Sequence, residues 1–130
     1  SMFDHIGFAV SDLQRSRSFY EQALAPLGIA VQMEVTREQT GSYEGVGFGP
    51  PTRPLFWIGS GEPLRGSVHV ALVAKDRRAV DAFHRAALDA GGRDNGAPGL
   101  RPHYHPNYYG AFVLDPDGHN IEAVCHTPDA

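Results

Sequence analysis

Hydrophobic and polar positions alternate over residues 3–10. Ile6, Phe8 and Val10 are large and apolar, whereas His5, Gly7 and Ala9 are a histidine followed by small residues. Successive side chains of a strand point to opposite faces. The pattern therefore predicts a strand with one face on a core and a histidine beside open space on the other. The period then changes. Leu13, Tyr20, Ala23, Leu24 and Leu27 share one helical face. Ser11 and Gln14 have capping-box spacing, and Pro26 and Gly28 supply a stop.

The same order recurs further on. Val68, Val70 and Leu72 alternate with His69 and Ala71. A helix is then predicted from Asp76, with Val80, Phe83, Ala87 and Leu88 as its stripe and Gly91-Gly92 as its stop. A shift of 64 residues superposes His5 on His69, Asp12 on Asp76, Phe19 on Phe83, Ala23 on Ala87, Leu24 on Leu88 and Gly28 on Gly92. Six identities in one local pattern point to two copies of a module. Three more strands per copy fit the remaining segments, near 29–36, 42–49 and 53–59, then near 92–97, 108–115 and 119–126. The turn residues Asp115-Pro116-Asp117-Gly118 separate the last two. The fold class is α+β: two βαβββ modules, about 3–60 and 66–126, in a pseudo-two-fold repeat within a single domain of residues 1–130. Residues 94–107 carry Pro98, Pro102, Pro106, Gly96 and Gly99, and read as a lid-like loop over a site.

Composition narrows the function. The chain has 130 residues, 42% hydrophobic and 20% charged, with a formal charge of −4. That suits one folded domain and lacks the basic footprint of a nucleic-acid binder. No apolar run is long enough to span a bilayer, and no secretory leader is read. Ser1-Met2 reads as a tag remnant. The lone Cys125 permits no internal disulfide and fits a reducing, cytoplasmic setting.

Three residues stand out as carriers of chemistry. His5 and His69 occupy equivalent places in the two copies and are expected to converge on the axis between them, within one chain or across two. Glu122 lies in the last strand, opposite Ile58 in the repeat alignment. Two imidazoles and a carboxylate form a facial ligand set that leaves positions open for water, substrate or dioxygen. Such a set suits one divalent ion: Fe, Mn, Zn, Ni or Co. Each of these residues alone is more simply an ordinary strand or strand-end residue; the three together carry the metal reading.

The segments Asp4-His5-Ile6-Gly7-Phe8-Ala9-Val10-Ser11-Asp12, Ser18-Phe19-Tyr20, Val68-His69-Val70-Ala71 and Phe112 to Glu122 resemble the vicinal oxygen chelate superfamily. That group includes glyoxalase I, extradiol dioxygenases, fosfomycin-resistance enzymes and bleomycin-binding proteins. The resemblance implies paired βαβββ modules curled around a metal-bearing cleft, with His5, His69 and Glu122 as ligands. It also implies a small-molecule substrate and a homodimer. Glyoxalase I-like members place a fourth ligand near the end of the first module's last strand. Here that stretch is Leu55-Phe56-Trp57-Ile58-Gly59, which offers none. The three-ligand set is closer to dioxygenase-type and fosfomycin-transferase-type members. The alternative is a non-catalytic protein that sequesters a drug-like ligand in the same cleft.

The remaining candidates surround that site. Tyr108, His103 and His105 are candidate proton donors or acceptors, and Arg101, Trp57 and Tyr109 are candidate substrate contacts. Alternation sends Tyr108 and Tyr109 to opposite faces, so only one can line a cleft. Arg53 is a further candidate for an anionic substrate. For the loop histidines and both arginines, plain solvated side chains are the simpler reading. His119 is read as a solvated turn residue.

Overall fold

A computed structural model describes residues 2–128. The first module runs β1 (Ile6–Ala9), α1 (Leu13–Leu24), a 3-10 turn (Ala25–Leu27), β2 (Ala30–Val35), α2 (Arg37–Thr40), β3 (Gly45–Gly49) and β4 (Phe56–Gly59). The second runs β5 (His69–Val73), α3 (Arg77–Asp89), β6 (Arg93–Leu100), β7 (Tyr109–Leu114) and β8 (Asn120–Cys125). Each module folds into one four-stranded sheet. The orders are β1-β4-β3-β2 and β5-β8-β7-β6. In both, the first strand pairs parallel to the last, and the other pairings are antiparallel. The repeat read from sequence is therefore a repeat of topology. Among the described residues no helix is long and apolar enough to cross a membrane.

The two helices pack on each other between the sheets. Phe19, Tyr20 and Leu24 of α1 and Val80 and Phe83 of α3 are fully buried. They meet Phe48, Phe56 and Ile58 of one sheet and Val113 and Ile121 of the other, forming one core. Alternation then places Gly47 and Trp57, and Phe112 and Glu122, on the sheet faces turned away from the helices. The candidate chemistry lies on those outer faces.

Several local expectations change. Asp12, not Ser11, caps α1, accepting from the Arg15 amide at 3.1 Å. Asp76 caps α3 in the same way, accepting from the Ala79 amide at 2.8 Å. Ser11 is engaged instead by Asp117, which accepts from its amide at 3.0 Å and from its hydroxyl. Ile6 is 46% exposed, because β1 is an edge strand and Ile6 stands beyond the helices' cover. Leu88, placed in the apolar stripe of the second helix, is partly exposed. The short α2 had no periodic signal; its Thr36–Gln39 capping box holds it.

The proposed lid also changes. β6 continues to Leu100, and Leu100 pairs with Tyr109. The ladder shifts register between Asp94 and Gly96 and again between Gly96 and Gly99. Bulges of this kind accommodate the prolines and glycines that read as loop. Only residues 101–108 connect the two strands, and the Arg101 amide donates to the Tyr108 carbonyl at 2.7 Å to close them.

Candidate metal and ligand site

Half of the site lies on the second sheet. β5 pairs with β8 so that Ala71 stands opposite Glu122, two residues along from His69 opposite Asn120. The Glu122 carboxylate is 1% exposed. Its Oε1 meets His69 Nε2 at 2.8 Å, and its Oε2 accepts from the Tyr108 hydroxyl. A carboxylate this buried needs such partners. Gly110 makes the room: a Cβ there would stand 3.3 Å from Oε2 and 3.2 Å from the Tyr108 ring. Burial, then the hydrogen bond to Glu122, push the Tyr108 phenol up to about 12. At neutral pH it is a donor and not a phenolate.

The other half lies on the first sheet. His5 immediately precedes β1. Its Nδ1 meets Asp4 Oδ1 at 2.7 Å, and Arg53 donates to Asp4 Oδ2 at 2.8 Å. The hydrogen bond to His5, then the Arg53 charge, hold the Asp4 carboxyl below its ordinary range. A carboxylate on one ring nitrogen orients the other as a ligand. His5 opens on a cavity of about 540 Å³ lined also by Gly7, Val35, Tyr43, Trp57 and Ser60.

Glycines shape this cavity. A Cβ at Gly47 would lie 2.8 Å from the Trp57 indole, and one at Gly7 would lie 3.0 Å from Trp57 Cβ. At Gly45 and Gly59 it would strike the Tyr43 ring. Two aromatic side chains therefore lie flat on a glycine-paved sheet. Tyr43 had no signal of its own, but the glycines at alternate positions of β3 were visible in the sequence. The register also corrects the repeat alignment. Gly7 stands opposite Trp57 as Ala71 stands opposite Glu122. The structural counterpart of Glu122 is thus Trp57, not Ile58. An indole occupies the place a fourth ligand would need.

The expected convergence of His5 with His69 and Glu122 is not found within one chain. Among the described residues no group of three His, Cys, Asp or Glu side chains is placed to hold a metal ion. His69 and Glu122 are together; His5 is on the other sheet with its own carboxylate. The chemistry of the donors still fits a divalent ion, with two imidazole nitrogens and one buried carboxylate.

The 101–108 connection surrounds Tyr108. The Tyr104 ring packs on Tyr108 at 5.0 Å and on His103 at 4.1 Å. His126 packs on Tyr108 at 5.1 Å and on His105 at 5.3 Å. His105 Nδ1 accepts from the Asn107 amide at 3.1 Å, so its proton sits on Nε2. Tyr109 turns to the helix side, where it donates to Asp81 at 2.6 Å beneath Arg77. It does not line the site, and a substrate role for it is withdrawn. His119 is buried, and its Nδ1 accepts from the Val68 amide at 3.1 Å; it is structural rather than solvated.

Paired β-α-β-β-β modules, each folded into one four-stranded sheet, define a class of proteins, and comparison with known proteins gives it a name. The chain belongs to the Glyoxalase/Bleomycin resistance protein/Dioxygenase superfamily, whose family model matches residues 2–123. A glyoxalase/bleomycin resistance protein from Albidiferax ferrireducens is 28% identical, with 98% of this chain and 100% of that chain covered and a TM-score of 0.75. A glyoxylase/bleomycin resistance protein/dioxygenase domain from Frankia shares the fold at 14% identity, 98% coverage of each chain and a TM-score of 0.72. Glyoxalase I from Zea mays shares it at 22% identity and a TM-score of 0.67. There 97% of this chain matches only 44% of the maize chain. No curated protein matches significantly.

Proposed function

We propose that this protein is a divalent-metal enzyme whose site is assembled by two copies of the chain, His5 coming from one copy and His69 and Glu122 from the other. The observation that carries this reading is the division of the ligand set. One sheet holds a buried carboxylate already bonded to an imidazole, and the other holds an imidazole oriented by Asp4 and Arg53. β1 and β5 lie at the edges of their sheets, with Ile6 46% and Val73 81% exposed. Unpaired, apolar edges of this kind are natural seams for an isologous dimer.

A bound ion would supply Lewis acidity toward a substrate that chelates through adjacent oxygens. The chain's own residues do the rest. Tyr108 fixes Glu122 through Oε2 and leaves Oε1 toward His69. Its high pKa keeps it a hydrogen-bond donor at neutral pH. Trp57 and Tyr43 give the first module an aromatic wall that excludes water from the substrate's apolar part. Arg101 is a cationic contact on the second module. His103 and His105, on the connection that surrounds Tyr108, are the candidates for proton transfer.

The test is metal stoichiometry on apoprotein incubated anaerobically with Fe(II), Mn(II), Co(II), Ni(II) or Zn(II) and desalted. One ion per subunit in the wild type, lost in Glu122→Ala, is expected. Full retention by Glu122→Ala would remove Glu122 from the ligand set. No retention of any ion would favour the second reading, a non-catalytic protein that sequesters a planar ligand on the Trp57–Tyr43 shelf.

A further inference from the structure

Arg101 is held on the same face as Glu122. Phe112 stands opposite Glu122 across the β7–β8 ladder, and the Arg101 guanidinium lies 5.4 Å over the Phe112 ring. The His69 ring lies 6.2 Å from the same Phe112 ring. The guanidinium and the imidazole bonded to Glu122 thus both pack on Phe112.

This placement is built into the backbone. Arg101 donates to the Ala97 carbonyl at 2.8 Å. A Cβ at Gly96 would press on one guanidinium nitrogen at 3.3 Å, and a Cβ at Gly99 on the other at 3.2 Å. The two bulged glycines of β6 leave a trough in which the fork lies. Among the described residues no carboxylate pairs with Arg101. Asp94, the acid of that strand, is taken by His84 and the Gly96 amide. A guanidinium fixed by a carbonyl and a ring keeps further N–H donors free in a geometry that matches a carboxylate.

We infer that Arg101 selects an anionic substrate, one that carries a carboxylate in addition to its metal-chelating oxygens. This inference rests on the metal reading above and specifies the substrate class of that site. A neutral chelator would fill the metal positions and leave Arg101 unused. A carboxylate at the far end would gain a charge-assisted, bidentate contact at a site already ordered for it.

The probes are benzohydroxamate and 4-carboxybenzohydroxamate, which share a chelating head and differ by one carboxylate. Binding of each to Co(II)-loaded protein is measured by calorimetry. The carboxylated probe is expected to bind wild type about tenfold tighter. Arg101→Gln should abolish that preference, so that the two probes bind the variant equally. Arg101→Lys, which keeps the charge and loses the fork, should retain part of the preference. Equal affinity of the two probes for wild type would overturn the inference with chelation intact. So would a preference that survives Arg101→Gln. Failure of both probes to bind the loaded protein would overturn the chelation reading, and this inference with it.

Discussion

The hydroxyl of Tyr20, in the middle of α1, donates to the buried carboxylate of Asp115, at the turn between β7 and β8. The other oxygen of Asp115 accepts from the amides of Asp117 at 2.9 Å and His119 at 2.8 Å, which fixes the turn. Asp117 in turn accepts from Ser11, just ahead of α1. Gly118 adopts a φ of 86°, a left-handed conformation that favours glycine. The Asp-Pro-Asp-Gly-His motif is therefore a clasp: it joins the helix of the first module to the hairpin of the second.

Tyr20→Phe is expected to lower stability by roughly 1.5–3 kcal/mol, because it leaves a buried carboxylate oxygen without its donor. Urea unfolding near pH 7 measures it. Burial, then the Asp115 charge, raise the Tyr20 phenol well above its ordinary value. A raised pKa means that the fold favours the protonated phenol. This stabilisation is complete below pH 10, where the unfolded phenol is also protonated, and is lost as pH rises further. The difference between wild type and Tyr20→Phe should thus shrink only in the alkaline range. A difference that shrank between pH 6 and 8 would assign the effect to another group.

Gly47→Ala should destabilise the first module by about 1–3 kcal/mol through overpacking against Trp57 and Pro54. Combining it with Trp57→Ala should recover part of the loss, since one of the two obstacles is gone. A double-mutant cycle on unfolding free energies reads the coupling. Strict additivity would show that the indole does not lie against Gly47.

The module repeat was legible because matching core positions, caps and stops recur at one shift. His5, His69 and Glu122 were legible as ligand types because two of them fall at repeat-equivalent places. Whether they meet was not legible, because that depends on how α1 and α3 pack, and an apolar helical stripe does not name its partner. The match of Glu122 to Trp57 was missed because alignment by a constant shift carries the numbering past one extra residue in the second module. Only the strand register reveals it. The span of β6 was misread because bulges let a strand contain the prolines and glycines that mark loops.

Tyr108 should titrate late. Its phenolate absorbance is expected near pH 12, against about 10 for a free tyrosine. The step can be assigned by subtracting the titration of Tyr108→Phe from that of wild type, in metal-free protein. The raised value again marks stability that is present below pH 10 and disappears as pH rises through about 12. A Tyr108 step near 10 would show that the hydroxyl does not rest on Glu122 in solution.

The proposed division of the ligand set between chains makes a sharper demand, met by mixing two broken proteins. His5→Ala and Glu122→Ala should each bind little metal alone. In a mixed dimer, one site receives both substitutions. The other receives His5 from the Glu122→Ala chain, and His69 and Glu122 from the His5→Ala chain, and is intact. Random exchange of equal amounts makes half of the dimers mixed, so about one quarter of all sites should recover metal. Exchange is driven by brief unfolding and refolding together, and recovered metal is counted after desalting. A site built within one chain gives no recovery at any mixing ratio, because every chain carries a lesion. Recovery near one quarter therefore requires that His5 and the His69–Glu122 pair come from different chains.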